Sequence, residues 1–70
     1  MATNIRHIYT THVTIIFHDY DDGFTMRCND CGQMDDIAKR VSEIIIRHNF
    51  EYADVCSAET GEVLMVIERT

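Results

Sequence analysis

QMDDIAKRVSEIIIRH, residues 33–48, decides the fold because its apolar side chains recur at steps of three and four residues. The residues that share this face are Met34, Ile37, Ala38, Val41, Ile44, Ile45 and His48. Asp35 and Asp36 suit the positive end of a helix dipole, and basic residues suit its negative end. The stretch therefore predicts an amphipathic helix from about Gln33 to His48.

Residues on both sides of this helix predict where it begins and ends. Asp30 is followed three residues later by Gln33, which is the spacing of a capping box. Asn49 can close the other end in a left-handed conformation. We expect the chain to be extended on either side.

Two alternating stretches precede the helix. Val13, Ile15 and Phe17 alternate with more polar residues, and Phe24, Met26 and Cys28 do the same. Residues 19–23, DYDDG, lie between them and supply polar residues followed by a glycine able to take a positive φ. These features predict a β-hairpin whose inward faces carry the two apolar sets.

A second hairpin is predicted after the helix. Its strands are residues 50–57 and Val63 to Glu68, and Glu59-Thr60-Gly61 forms the turn between them. The whole chain, residues 1–70, then makes one α+β domain with the plan ββαββ. With strands alternating in direction and one helix covering a single face, the simplest antiparallel strand order is 2-1-3-4.

The charge of the chain limits the classes of partner that it can bind. The chain contains twelve Asp and Glu residues and six Lys and Arg residues, which give a net charge of −6. This charge disfavours direct binding to nucleic acid or to an anionic membrane, and it favours solubility or docking onto a basic protein partner. No apolar run approaches the roughly 18 residues of a membrane span, and the first residues lack a signal-peptide pattern. We expect a cytoplasmic protein.

The sheet face away from the helix is predicted to be unusually apolar. From the first three strands it would carry His12, Thr14, Ile16, Thr25, Arg27, Tyr52 and Asp54. The last strand would add either the pair Leu64 and Val66 or the set Val63, Met65 and Ile67. Such a face could bury itself in a homodimer or a partner protein. Alternatively, Ile16 and Tyr52 only support cross-strand packing.

Cys28-Asn29-Asp30-Cys31-Gly32 has the C-x-x-C spacing of a zinc knuckle. The predicted topology places His7 and Cys56 near the same end of the sheet, which could complete a Cys₃His site. Against this, Cys28 should face the core and Cys56 should face away from it. A redox dithiol is disfavoured by the acidic residues nearby. We expect no cofactor and plain reduced thiols, with Cys28 packed and Cys31 exposed, and keep zinc as the alternative.

The sequence offers little support for an enzyme. It contains no glycine-rich phosphate loop, no serine close to a histidine and acid pair, and no carboxylate pair in an evident cleft. Its four histidines are scattered, and a domain with one helix on one sheet has little room for a deep pocket. We expect a non-enzymatic protein.

Size, plan and charge together resemble the small acidic inhibitors that phages and other mobile elements encode, including anti-CRISPR proteins. The resemblance implies a binder that occludes a basic, nucleic-acid-facing surface of a host protein such as a CRISPR effector. Its carboxylates would imitate phosphate charge. The partner-binding residues would be Asp19, Tyr20, Asp21, Asp22, Asp35, Asp36, Glu51, Tyr52 and Asp54. The alternatives are a small zinc-knuckle protein and a homodimeric structural module of a bacterial or phage genome.

Overall fold

The computed structural model describes residues 10–19, 21 and 23–69. Its four strands form one antiparallel sheet in the order β2-β1-β3-β4, and the helix packs on one face of that sheet. The predicted fold class and strand order are confirmed. The elements are β1 (Thr11–His18), β2 (Thr25–Gly32), α1 (Met34–His48), β3 (Tyr52–Ser57) and β4 (Val63–Glu68).

The core lies between α1 and the two central strands. Val13, Ile15 and Phe17 of β1 alternate with more exposed residues and are almost completely buried. They belong to the same buried cluster as the apolar stripe of α1 and the inward face of β3. Burying one such side chain stabilises a fold by about 1.5–3 kcal/mol. The residues contributed by these two elements are Ile37, Val41, Ile45, Ala53 and Val55.

Strand β2 is longer than the sequence predicts. The alternation of apolar residues stops at Cys28, whereas the strand continues to Gly32, which pairs with Thr11 at the start of β1. The ladder extends because β1 presents backbone partners along its whole length, and unpaired backbone groups are costly to bury. Gly32 has a φ of 138°, so glycine is suited to the exit from the strand toward α1.

Asp30 does not cap the helix, so the predicted capping box is wrong. The residue at the N-cap is Gln33, which makes no side-chain capping hydrogen bond. Asp30 lies in β2 on the helix side of the sheet, where its carboxylate accepts hydrogen bonds from Nε of Arg40 at 2.8 Å and from Nη2 at 3.1 Å. It therefore joins the edge of the sheet to the middle of α1. At the other end of the helix, the left-handed cap at Asn49 is confirmed, with φ 59°.

The Asp30–Arg40 pair predicts a loss of stability in acid. The hydrogen bond from Arg40 lowers the pKa of the Asp30 carboxyl, and burial opposes this only in part. Because the folded pKa lies below the unfolded value of about 3.9, the carboxylate stabilises the fold above that pH, and this contribution is lost as the pH falls through the folded pKa. Urea unfolding followed between about pH 7 and pH 3 should show a smaller acid loss for Asp30→Asn than for the native chain. Equal losses would contradict this role of Asp30.

Both predicted turns are present in the structure. In the first hairpin the N–H of Asp19 donates to the carbonyl of Phe24 at 3.0 Å, and Gly23 has a φ of 63°. In the second hairpin the N–H of Gly61 donates to the carbonyl of Ser57 at 2.8 Å, and the φ of this glycine is 77°. Each positive φ is a conformation that glycine adopts without steric cost.

Candidate functional site

The acidic side chains are divided between the two ends of the sheet. Because the strands alternate in direction, the β1–β2 loop, the start of β3 and the last turn of α1 share one end. The first turn of α1 and the β3–β4 turn share the other. We call these the loop end (Asp19, Asp21 and Glu51) and the helix-start end (Asp35, Asp36, Glu59 and Glu62). Helix α1 has 15 residues, so the two ends lie about 22 Å apart.

The helix-start end carries carboxylates that have no ion-pair partner among the residues that the structure describes. Asp35 and Asp36 lie in the first turn of α1, and both are exposed. No basic side chain of the described residues lies within ion-pair distance of either, although Asp36 acts electrostatically on Arg40. Glu59 and Glu62 are also exposed, and neither forms an ion pair with another described residue. The negative charge at this end is therefore available to a partner.

At the loop end, part of the charge is used within the fold. An Oδ1 atom of Asp19 accepts a hydrogen bond from the N–H of Asp21 at 3.0 Å, which shapes the loop. Glu51 forms an ion pair with Arg69 at 3.1 Å. The predicted partner-binding residues Tyr20 and Asp22 lie outside the described residues. Of the others at this end, Asp21 is exposed and has no ion-pair partner within the described ranges.

The sheet face away from the helix carries the predicted residues of the first three strands. The pairing register places Thr14, Ile16 and Asp54 there, since the alternate residues of β1 and β3 point into the core. From β4 the face receives Leu64 and Val66, the first of the two predicted alternatives, whereas Met65 and Ile67 pack against the core. Val63 joins this face too, because a β-bulge opposite Val55 and Cys56 shifts the register.

His18 is a residue of this face whose contacts the sequence did not reveal. Its Nε2 donates to Oδ2 of Asp54 at 2.9 Å, and its ring stacks on Tyr52 with centroids 4.3 Å apart and planes at 8°. Two predicted partner-binding residues, Asp54 and Tyr52, are therefore held in a contact within the fold. The only sequence signal was the predicted strand order, which makes β1 and β3 neighbours but leaves the register open.

The structure does not bring together the three cysteines of the predicted zinc site. Residues 28–31 form continuous strand rather than a knuckle, and in a strand two residues three positions apart point to opposite faces. Cys28 accordingly packs against the core, while Cys31 is exposed. Cys56 is buried, pairs with Thr14 and is separated from β2 by β1, so about 10 Å lies between its strand and that of Cys31. His7 lies outside the described residues.

Within the described ranges, no group of three or more His, Cys, Asp or Glu side chains is placed to hold a metal ion. The thiols instead match the expected pattern of a packed Cys28 beside an exposed Cys31. The pKa of the Cys28 thiol is raised by burial and, to a smaller extent, by the charge of Asp30. Both effects disfavour its thiolate, which is the form that reacts and binds metals.

Alkylation should therefore distinguish the three cysteines. Treating the native protein with iodoacetamide at about pH 8 is expected to modify Cys31 first, because its thiol is exposed. Cys28 and Cys56 should react much more slowly, and equally fast only after unfolding in urea. Peptide mass spectrometry over a time course measures the order. If Cys28 and Cys31 react together, the placement of these thiols on opposite faces is incorrect.

Comparison with protein-family models, with curated proteins and with solved structures finds no match. Among residues 10–19, 21 and 23–69, no helix is long and apolar enough to cross a membrane. Function must therefore be inferred from how the fold distributes charge and apolar surface.

Proposed function

We propose that the chain is a non-enzymatic, acidic protein-interaction module of the phage-inhibitor kind to which anti-CRISPR proteins belong. It binds and occludes a basic, nucleic-acid-facing surface of a host protein such as a CRISPR effector, and it acts in the host cytoplasm. The observation that supports this function is the helix-start end, where the four carboxylates lack an ion-pair partner among the described residues.

The sign of the charge selects the partner. A surface that binds nucleic acid presents lysines and arginines whose charge is balanced by phosphates or by counterions. Carboxylates such as those of Asp35 and Asp36, which lie in the first turn of α1, can replace the phosphates. Two acidic ends about 22 Å apart allow contact with two separated basic patches. Basic proteins are therefore favoured partners, and nucleic acid itself is repelled.

Inhibition of this kind needs no chemistry on the partner. An obstacle on the basic surface prevents nucleic acid from reaching it, so affinity and position decide the effect. The module uses no cofactor in this mechanism. Asp54 and Glu51 contribute less than Asp35 and Asp36 because each is already paired, with His18 and Arg69 respectively.

The salt dependence of partner binding tests the proposal. The immobilised chain captures its partner from a nuclease-treated bacterial lysate, and the purified partner is then titrated at increasing salt. Affinity should fall steeply as salt rises, since exposed charges are screened beyond about 8 Å at physiological ionic strength. An affinity that stays constant across this range would overturn the electrostatic mechanism.

A second candidate function is a homodimeric structural module. It is favoured by the apolar side chains Leu64, Val66 and Ile16 on the sheet face that no described helix or strand covers. It predicts a dimer whose population rises with concentration and which Ile16→Asp or Tyr52→Asp breaks. Sedimentation equilibrium measures this, and a monomer throughout the micromolar range removes this candidate.

A further inference from the structure

Strand β4 is an unusually apolar sheet edge. It lies last in the strand order, and its residues 63–67 are all apolar. Natural proteins usually protect such an edge with charge, proline or a covering segment, because its backbone groups can pair with another strand. Within β4 no charged residue or proline interrupts the run before Glu68. The exposed fractions of Val63, Leu64 and Val66 are 51%, 43% and 52%.

The backbone groups that face outward can be assigned from the ladder. In an antiparallel pair, every second residue bonds to the neighbouring strand. The N–H of Arg69 donates to the carbonyl of Glu51 at 2.9 Å. Ile67 and Met65 occupy the preceding alternate positions and therefore bond to β3 as well. On the C-terminal side of the β-bulge, the residues whose N–H and C=O groups point to the outer edge are Val66 and Glu68.

A groove runs beside this edge on the helix side of the sheet. It has a volume of about 410 Å³ and is lined by α1 and the end of β4. Ile46 is 67% exposed in it, and Ala38 and Ser42 are small enough to leave room. A strand added beside β4 would direct every second side chain to this side of the sheet. The groove can receive those side chains, as in other cases of strand addition.

The charges around the edge indicate what kind of strand can pair with β4. Glu62 and Glu68 flank the apolar run, and neither has an ion-pair partner in the described ranges. Arg69, the nearest cation in sequence, is already bonded to Glu51 and Asn49. A second copy fits poorly, since an antiparallel pair centred on Met65 would place Glu62 opposite Glu68 of the other copy at both ends. A strand with basic residues at both ends fits well.

We propose that the edge of β4 and its adjoining groove form a strand-addition site for an extended segment that has alternating apolar side chains and basic residues at its ends. This inference deepens the proposed function by naming the element of the basic partner that docks, and it rests on that function for the partner's charge. Main-chain hydrogen bonds to β4 supply affinity, while the groove and the two glutamates supply selectivity.

A peptide tests the site directly. The probe alternates valine and threonine and carries lysines at both ends, and a matched peptide carries glutamates instead. In a nitrogen-15 NMR titration, the lysine peptide should shift the amide signals of Val66 and Glu68 more than those of β2, the opposite edge. The glutamate peptide should bind at least tenfold more weakly. The site is overturned if the lysine peptide produces no β4 shifts at roughly 1 mM, a concentration that detects even weak binding.

Val66→Pro is the decisive variant. It removes an N–H that points outward, so the internal ladder keeps its bonds, as for prolines on natural edge strands. Val66→Thr keeps the N–H and the branched shape and serves as the control. Val66→Pro should lower the affinity for the lysine peptide at least tenfold, and Val66→Thr should lower it less than about threefold. Ile46→Ser, at an exposed position, should also weaken binding of the lysine peptide without unfolding the chain. Equal binding by all variants overturns the site.

Peptide binding and partner capture, measured on the same variants, distinguish a failure of the strand-addition site from a failure of the proposed function. Asp35→Asn/Asp36→Asn lies at the helix-start end and should leave peptide binding unchanged, while it weakens capture of the basic partner. If the partner depends on Asp35 and Asp36 but the peptide does not bind β4, the strand-addition site is overturned and the proposed function stands. If the peptide binds β4 but the affinity for the partner is the same with and without the two aspartates, the proposed electrostatic function fails while the edge site stands.

Discussion

Replacing Phe17 by alanine is expected to remove most of the stability of the chain. Phe17 is completely buried near the C-terminal end of β1, and its ring centroid lies 5.1 Å from that of Phe50. Truncating a buried phenylalanine costs about 3–5 kcal/mol, because apolar contacts are lost and a cavity remains. A domain of 70 residues has a total stability of roughly 4–10 kcal/mol. The variant should therefore be partly or largely unfolded in water.

Phe24 provides a matched control for this variant. It is the same residue type, placed just before β2, and its side chain is 55% exposed. Phe24→Ala should cost less than about 1 kcal/mol, since surface substitutions away from special features change stability little. Urea unfolding followed by circular dichroism measures both variants. Equal losses would show that β1 does not form the centre of the core.

Neutralising the helix-start end should have the largest effect on partner binding. Asp35→Asn/Asp36→Asn removes two charges that have no ion-pair partner among the described residues and keeps the size of both side chains. Each charge facing a basic surface contributes several tenths of a kcal/mol or more. Together their loss should weaken binding about tenfold, or ~1.4 kcal/mol. Titration calorimetry with the captured partner measures this.

Two further variants control for charge and position. Asp19→Asn/Asp21→Asn removes two charges from the loop end, and asparagine can still accept the hydrogen bond that shapes the loop. Glu43→Gln removes one charge from the exposed surface of α1, away from both ends. We expect a smaller effect at the loop end and little effect for Glu43→Gln. Unchanged affinity in both double variants would exclude recognition through these acidic ends.

Several features that depend on near neighbours in sequence were predicted correctly, but the capping box at Asp30 was wrong, and Phe24, predicted to face inward, is 55% exposed. The helix face, the left-handed cap at Asn49 and the two glycine turns each follow from residues a few positions apart. With one helix and two hairpins, few antiparallel arrangements remain, and the order β2-β1-β3-β4 is the simplest. The apolar patterns of β1 and α1 then assigned most residues of the buried cluster, whereas the side of β4 that faces the core was left open.

Features that depend on register could not be predicted. The pairing of Thr11 with Gly32 lengthens β2 and turns the cysteine motif into strand. That extension also carries Asp30 to Arg40 rather than to the helix start. The contact of His18 with Asp54 depends on the β1–β3 register, which no local pattern specifies. The net charge was known from the sequence, but its division between two ends of the sheet required the topology.

Competition with nucleic acid is the most direct measurement. The purified partner is bound to a fluorescent duplex DNA, or to target DNA through its guide RNA if it is a CRISPR effector. The chain is then added at increasing concentration while anisotropy is recorded. We predict that DNA is displaced, that the apparent affinity of the chain falls in proportion to added DNA, and that Asp35→Asn/Asp36→Asn displaces it less well. A stable ternary complex of partner, DNA and chain would contradict occlusion of the nucleic-acid-facing surface.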